Sequence, residues 1–344
     1  MTAWGSRLGC LVPIALEFRR AGIHLPDLGL WLDPREPKTG DELVFVSHAH
    51  SDHIAAHREV ILTEPTARLM QARIRGSRIE HTLRFGHPVE FHQGKIPFRI
   101  TLLPAGHILG SAMALVEAVG GSLLYTGDFK LRRGLAAEMC EPRGADILIM
   151  ETTFGLPKYR FPRGDVTFEQ VIRFCRETLE HDETPVLLAY SLGKTQEVLR
   201  ALNAARLPVM LYEQAFKLTK IYEQLGQSFP AHEEFDAGNT RGKILIWPPG
   251  ATTQNLRAKL GKARLAVLSG WAMDASCRFQ NRADAAFPVS DHADYDELLE
   301  MVTLVQPKKI YTVHGFAREF AHTLRSLGHN AVAPGWHEQM ALEL

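Results

Sequence analysis

Short apolar runs bounded by glycine, proline and aspartate recur along the first half of the chain, and each reads as a buried strand. They are Leu43 to Val46, Arg99 to Leu103, Ala112 to Val119, Ser122 to Thr126 and Asp146 to Met150. The middle pair flanks Gly120-Gly121, which predicts a hairpin. Helical periodicity is scarce until Pro157, where the pattern changes. From Thr167 to His181 the apolar residues Phe168, Val171, Ile172, Cys175 and Leu179 fall close to a helical period. A strand at Val186–Ala189, a helix at Lys194–Ala205, a strand at Val209–Leu211 and a helix at Glu213–Leu225 follow. Such alternation predicts a parallel α/β sheet, continued by strands at Ile244–Trp247 and Ala266–Leu268. Residues Phe229 to Gly242 are polar and read as an exposed loop. The chain closes on a helix at Tyr295–Leu304, a strand at Ile310–Val313 and a helix at Ala317–Leu327.

Candidate chemistry gathers where predicted strands end. Directly after the run Leu43–Val46, the HxHxDH cluster offers His48, His50, Asp52 and His53 within residues 48–53. Alternate residues of an extended segment point the same way, so His48 and His50 can grip one ion together. The turn then lets Asp52 and His53 face a second. Imidazole plus carboxylate with no thiolate suits Zn²⁺, with Mn²⁺ as the alternative. Three further strand ends supply polar residues: His107 in a glycine-flanked loop after Leu103, Asp128 after the hairpin, and His314 after Val313. Asp128 is placed to bridge two ions.

The order HxHxDH, His, Asp, His resembles the metallo-β-lactamase fold from about Asp33 to the end. Within it the chain resembles the β-CASP nucleases through three further matches: Glu151 after Ile147–Met150, His292 in Ser290-Asp291-His292-Ala293-Asp294, and His314 in Thr312-Val313-His314-Gly315. A closer resemblance, to the bacterial DNA-ligase-associated exonucleases, rests on four stretches. These are Trp31-Leu32-Asp33-Pro34, residues 151–160 (ETTFGLPKYR), residues 190–196 (YSLGKTQ) and Ser269-Gly270-Trp271. The resemblance implies an αββα sandwich, an α+β core within an α/β protein, carrying an inserted α/β cap. Candidate ligands on both sides of the α/β block fit that insertion. The expected divisions are 1–157 and 287–344 for the core and 158–286 for the cap.

The expected chemistry is two-metal hydrolysis of a phosphodiester. His48, His50 and His107 are assigned to one ion, Asp52, His53 and His314 to the other, and Asp128 to both. Asp33 is expected to orient a ligand from behind. By resemblance, His292 protonates the leaving oxygen and Glu151 holds its tautomer. Ser191 and Lys194 open a helix after a strand and are expected to touch a backbone phosphate. Leu188 stands where a Walker A loop needs its first glycine, which argues against a nucleotide triphosphatase.

Charge and cysteine content narrow the setting. Lysine plus arginine equals aspartate plus glutamate at 39 each, so any attraction for nucleic acid must come from local patches. Lys130, Arg132 and Arg133, and then Lys158, Arg160 and Arg163, are expected to rim the cleft, because they follow Asp128 and Glu151 closely. Arg73, Arg75 and Arg78 read as a solvated face. Cys10, Cys140, Cys175 and Cys277 form no paired motif, which argues against a thiolate zinc site and for a reducing cytoplasm. No run reaches spanning length, and the apolar stretch Leu8 to Leu16 is broken by Gly9 and Pro13, so neither membrane nor leader is expected.

These features favour a nuclease over a small-molecule metallo-hydrolase or an inactive scaffold, since a large insertion is present and no expected ligand is missing. DNA is preferred to RNA as substrate, with a DNA ligase and a helicase as partners implied by the ligase-associated group. The alternative is an RNA-processing β-CASP ribonuclease, because a histidine at the last motif resembles that branch. The stretch Gly22 to Leu30 also lacks the cysteine and aromatic residues of the ligase-associated pattern.

Overall fold

Leu43, Val44 and Phe45 are buried on both sides, and residues of this kind occupy strands covered on two faces. In the computed structural model, which describes residues 14–250 and 256–335, they form β4 of a six-stranded sheet. Its strands run in chain order: β1 (Glu17–Arg19), β2 (Gly22–Leu25), β3 (Leu30–Leu32), β4 (Leu43–Phe45), β5 (Glu59–Leu62) and β6 (Ile79–Thr82). A second sheet holds β7 (Val89–Phe91), β8 (Phe98–Pro104), β9 (Ala112–Ala118), β10 (Gly121–Tyr125) and β11 (Ile147–Glu151). Two strands from the far end of the chain, β18 (Lys309–Val313) and β19 (Ala331–Val332), complete it. The expected hairpin is β9–β10, antiparallel with Leu123 opposite Val116.

The two sheets pack face to face. Leu25, Leu32, Phe45 and Ile61 of the first meet Ile100, Leu102, Tyr125 and Ile149 of the second in one buried cluster. Each outer face is covered by helices. Trp31, Val44 and Leu62 pack on α1 (Glu64–Arg73), while Leu124, Met150 and Ile310 pack on α7 (Tyr295–Val305) and α8 (Ala317–Ser326). This is the αββα sandwich that the resemblance implied.

A third sheet takes its strands from one contiguous stretch: β12 (Thr184–Leu188), β13 (Val209–Leu211), β14 (His232–Glu234), β15 (Ile244–Trp247), β16 (Ala263–Leu268) and β17 (Ala285–Phe287). All its pairings are parallel, as the helix–strand alternation predicted. Its helices are α2 (Gly164–Glu180), α3 (Lys194–Leu202), α4 (Glu213–Gln224), α5 (Leu256–Leu260) and α6 (Ser276–Gln280). Leu218 and Tyr222 of α4 pack against the first sheet's outer face, and the Tyr222 hydroxyl accepts from the Leu109 amide.

The few helices before Pro157 include α1, which Thr63 caps and which carries Pro65 in its first turn. One expectation needs correction. The segment Phe229–Gly242 contains the short edge strand β14, paired with β13. Cys140, Cys175 and Cys277 are free and buried. Cys10 and most of the stretch Leu8 to Leu16 lie outside the described residues. Among the described residues, no helix is long and apolar enough to cross a membrane.

Candidate metal centre and active site

Strand β4 delivers the HxHxDH segment to the edge of the sandwich, and the loops after β8, β10, β11 and β18 arrive at the same place. The geometry is convergent. His48 Nε2 and His107 Nε2 each lie 3.0 Å from His50 Nδ1. Asp128 Oδ2 lies 3.5 Å from His48 Nε2 and 3.8 Å from His107 Nε2, and one ligand atom from each of the four residues fits within a 4.8 Å span. On the other side of Asp128, the same Oδ2 lies 3.3 Å from His53 Nε2, which is 3.6 Å from Asp52 Oδ2. The His314 ring centroid is 6.1 Å from that of His53. His314 has a left-handed backbone with φ of 60°, a conformation that residues with a Cβ rarely adopt.

The distal nitrogens decide where the protons sit. His50 Nε2 lies 3.1 Å from the Leu192 carbonyl and His107 Nδ1 lies 2.8 Å from the Asp291 carbonyl, and a carbonyl can only accept. Ser47 Oγ donates to Asp33 Oδ2 and therefore accepts from His48 Nδ1 at 3.0 Å. Each of the three rings thus turns an unprotonated nitrogen inward. The His50 lone pair lies 3.0 Å from each of the other two nitrogens, and such lone pairs repel unless a cation lies between them, so the donor set fits a divalent ion of the zinc class.

Burial reinforces this state. It holds the His48, His50 and His314 imidazoles below their ordinary range and pushes His107 down to about 3. For His53 burial acts in the same direction, but the carboxylates of Asp128, Asp52 and Asp33 outweigh it and drive the group upward. His292 is likewise raised against its burial, to about 10, chiefly by the charges of Glu151 and Asp128. Its Nδ1 lies 2.9 Å from Glu151 Oε1.

Asp33 sits behind the cluster, against His53. Its carboxylate accepts from the Ser47 amide at 2.7 Å, the Ser47 hydroxyl at 2.5 Å, the Tyr125 hydroxyl at 2.9 Å and His53 Nδ1 at 2.8 Å. His57 is buried away from the cluster, with Nδ1 accepting the Lys38 amide at 3.2 Å.

A cavity of about 1340 Å³ opens over the site between the sandwich and the third sheet. His50, Asp52, Asp128 and His292 line its floor, Tyr190, Ser191, Leu192 and Lys194 one wall, and Phe154 and Trp271 another. Ser191 thus faces the cavity. Lys194 is not free for a phosphate, because its Nζ is buried against Asp291 Oδ1 at 2.9 Å. Lys158 and Arg160 do not line the cavity, since the first pairs with Asp274 at 2.6 Å and the second with Asp296 at 2.9 Å. Lys130 and Arg132 are also turned away, onto Glu197 and Glu297. Besides Lys194, the cations that line the cavity are Arg20, Arg35, Arg73 and Arg318. Reading Arg73 as part of a solvated face is thus corrected. Only the fold brings these four together, and of them only Arg73 belongs to a patch that stands out in the sequence.

Residues 285–334 match the RMMBL family, described as a Zn-dependent metallo-hydrolase RNA specificity domain. A protein named Probable DNA ligase from Opitutus terrae is 48% identical over 322 residues, covering 93% of this chain. The 5' exonuclease Apollo of Mus musculus is 25% identical over 88% of this chain. The chain belongs to the β-CASP nucleases of the metallo-β-lactamase fold. This β-CASP chain spans 31% of the length of the first relative and 53% of the second. A solved structure of a protein of unknown function from Enterococcus faecalis V583 shares the fold, with a TM-score of 0.60 at 14% identity over 86% of this chain and 80% of that one.

Proposed function

We propose that this chain trims DNA from strand ends by hydrolysing phosphodiester bonds, using two divalent ions of the zinc class. One observation carries the reading: three inward-facing imidazole nitrogens and Asp128 converge within 4.8 Å, and two of these residues, His50 and Asp128, line a cavity of about 1340 Å³. His48, His50 and His107 would hold one ion and Asp52, His53 and His314 the other, with Asp128 between them. Bound there, such ions neutralise phosphoryl charge and acidify water.

The remaining steps belong to the chain. Asp33 holds His53 by its Nδ1. His292, engaged by Glu151 through Nδ1, presents Nε2 to the cavity as the proton source for the leaving oxygen. Arg35, Arg73 and Arg318 draw the strand in through its phosphates, which gives binding without a base code. Tyr190, 48% exposed on the cavity wall, offers a ring on which a base can stack. Residues 158–286 serve as the cap.

The DNA preference is supported by the relative named Probable DNA ligase, and the end-trimming preference by the one named 5' exonuclease. A ligase is the proposed partner, with a helicase beside it, and buried free thiols favour a reducing cytoplasm. A second reading, RNA processing, is favoured by the match of residues 285–334 to an RNA specificity domain. The deciding assay compares end-labelled single- and double-stranded DNA with matched RNA and with a circular single strand. Stepwise loss of label from DNA, with the circle intact, is expected. Cutting of the circle would reject end-trimming, and equal or faster loss from RNA would favour the second reading.

A further inference from the structure

The loop joining β12 to α3 belongs to the third-sheet block, yet it reaches two of the three converging histidines. Leu192 does so directly, through the carbonyl that receives His50 Nε2–H. Lys194 does so through Asp291, whose carboxylate it pairs with at 2.9 Å and whose carbonyl receives His107 Nδ1–H at 2.8 Å. His48 alone is set from within the sandwich, by Ser47 and Asp33. Gly193 marks how tightly the loop is seated. Its φ is +83°, and a Cβ there would lie 2.2 Å from Cγ2 of Ile108, the residue after His107.

The loop is also braced from its own side. Gln196 accepts the Gly193 amide at 2.7 Å and donates to the Ser191 carbonyl at 3.1 Å and to Thr219 of α4 at 2.9 Å. The Leu192 carbonyl is therefore delivered by a rigid turn. If the block lifts away, His50 loses the acceptor that keeps its proton on Nε2, and Asp291 loses the cation that anchors it.

We propose that residues Leu192 to Lys194 form a positioning element of the histidine cluster, so that seating of the block on the sandwich and occupancy of the cluster by a divalent ion are a single linked equilibrium. The proposal rests on reading that cluster as a metal site. Its physical basis is that a ligating imidazole needs its distal N–H held, and loss of such an outer partner costs about ten- to a hundredfold in metal affinity. Linkage is reciprocal, so an ion that prefers the seated block must strengthen its seating by the same factor. Lys194 and Gly193 act through His107 and His50 and need touch no substrate.

The test measures Zn²⁺ affinity of the full chain by competition with a chromophoric chelator, for wild type, Gly193→Ala, Lys194→Met and Lys194→Arg. Val267→Ala, a buried change in the third sheet whose side chain packs in a different cluster from Ala189 of the loop, reports general loosening of the block. Gly193→Ala and Lys194→Met should each bind Zn²⁺ about ten- to a hundredfold more weakly, Lys194→Arg should recover most of the loss, and Val267→Ala should stay within about twofold. Lys194→Met separates positioning from simple charge, because deleting a cation near the cluster would by charge alone tighten binding. Zn²⁺ should also slow amide hydrogen exchange across residues 190–205 of the wild type and do so less in the variants. Unchanged affinity in folded Lys194→Met, or exchange indifferent to Zn²⁺, would overturn the proposal while leaving the metal site standing. A wild type that binds no Zn²⁺ would remove the metal site itself.

Discussion

His292 Nδ1 lies 2.9 Å from Oε1 of Glu151, a carboxylate with no exposed surface. The Phe129 amide, at 3.3 Å, also donates to Oε1, and the Thr153 amide, at 3.1 Å, donates to Oε2, so the carboxylate cannot swing away. His292→Gln should therefore keep its metal while turnover falls by about a hundredfold or more, the usual scale of proton-transfer catalysis. Glu151→Gln should show the same pattern more mildly. Elemental analysis beside single-turnover rates checks both. Loss of metal in His292→Gln would make it a ligand, since Asp128, Glu151 and His292 also lie within ligand distance of one another.

Asp33 accepts four hydrogen bonds from a backbone with φ of 41°, a strained conformation for a residue with a Cβ. Asp33→Asn should lower metal affinity about ten- to a hundredfold through His53. Asp128→Ala, which removes an oxygen facing both groups of nitrogens, should leave less than one ion per chain. Metal titration with the two variants side by side orders them, and the reverse order would contradict the bridging position of Asp128.

Substrate affinity should follow the cavity wall. Arg35→Gln and Arg73→Gln should weaken single-stranded DNA binding and flatten its dependence on salt, as fewer counterions are released. Lys158→Ala and Arg160→Ala should change little, because each cation is exposed and already paired outside the cavity. Fluorescence anisotropy across a salt series with a catalytically silent variant gives the slopes.

His57 is pushed down to about 4, first by burial and then by neighbouring cations, and its Nδ1 accepts a backbone amide only while unprotonated. In the unfolded chain the imidazole takes up a proton near its ordinary value of 6.5. Its contribution to stability is therefore complete above that pH and is lost as pH falls toward about 4. His57→Asn, which preserves an acceptor but does not titrate in this range, should show a smaller fall in Tm between those limits. Parallel slopes in thermal scans of the two proteins would refute the assignment.

Much of the centre was legible because its residues stand where strands end. His48, Glu151 and His314 follow apolar runs whose burial fixes their direction, and the carboxylate and imidazole donors announce themselves by type. The β9–β10 hairpin and the parallel third sheet were readable for a similar reason, since two-glycine turns and helix–strand alternation are local signals. The arginines of the cavity were not, because Arg20, Arg35, Arg73 and Arg318 meet only through the tertiary fold. Lys158 and Arg160 misled for the converse reason: nearness to Glu151 along the chain did not survive their pairing with Asp274 and Asp296. The Leu192 carbonyl could not be read at all, since a backbone acceptor has no letter.

Strand β18 is hydrogen-bonded between β11 and β19, with Ile147 opposite Lys309. During synthesis, β11 emerges and then waits for the 158 residues from Glu151 to Lys309, about 8–30 s at a rate of roughly 5–20 residues per second. The third sheet, contiguous in sequence, can finish within that interval. The nascent protein thus carries a completed passenger on a host whose sheet still exposes an unpaired edge, and such an edge is a template for wrong partners. The segment that closes that edge, β18, also leads directly into His314, so a chain arrested before it leaves both the sheet edge and the candidate metal centre incomplete.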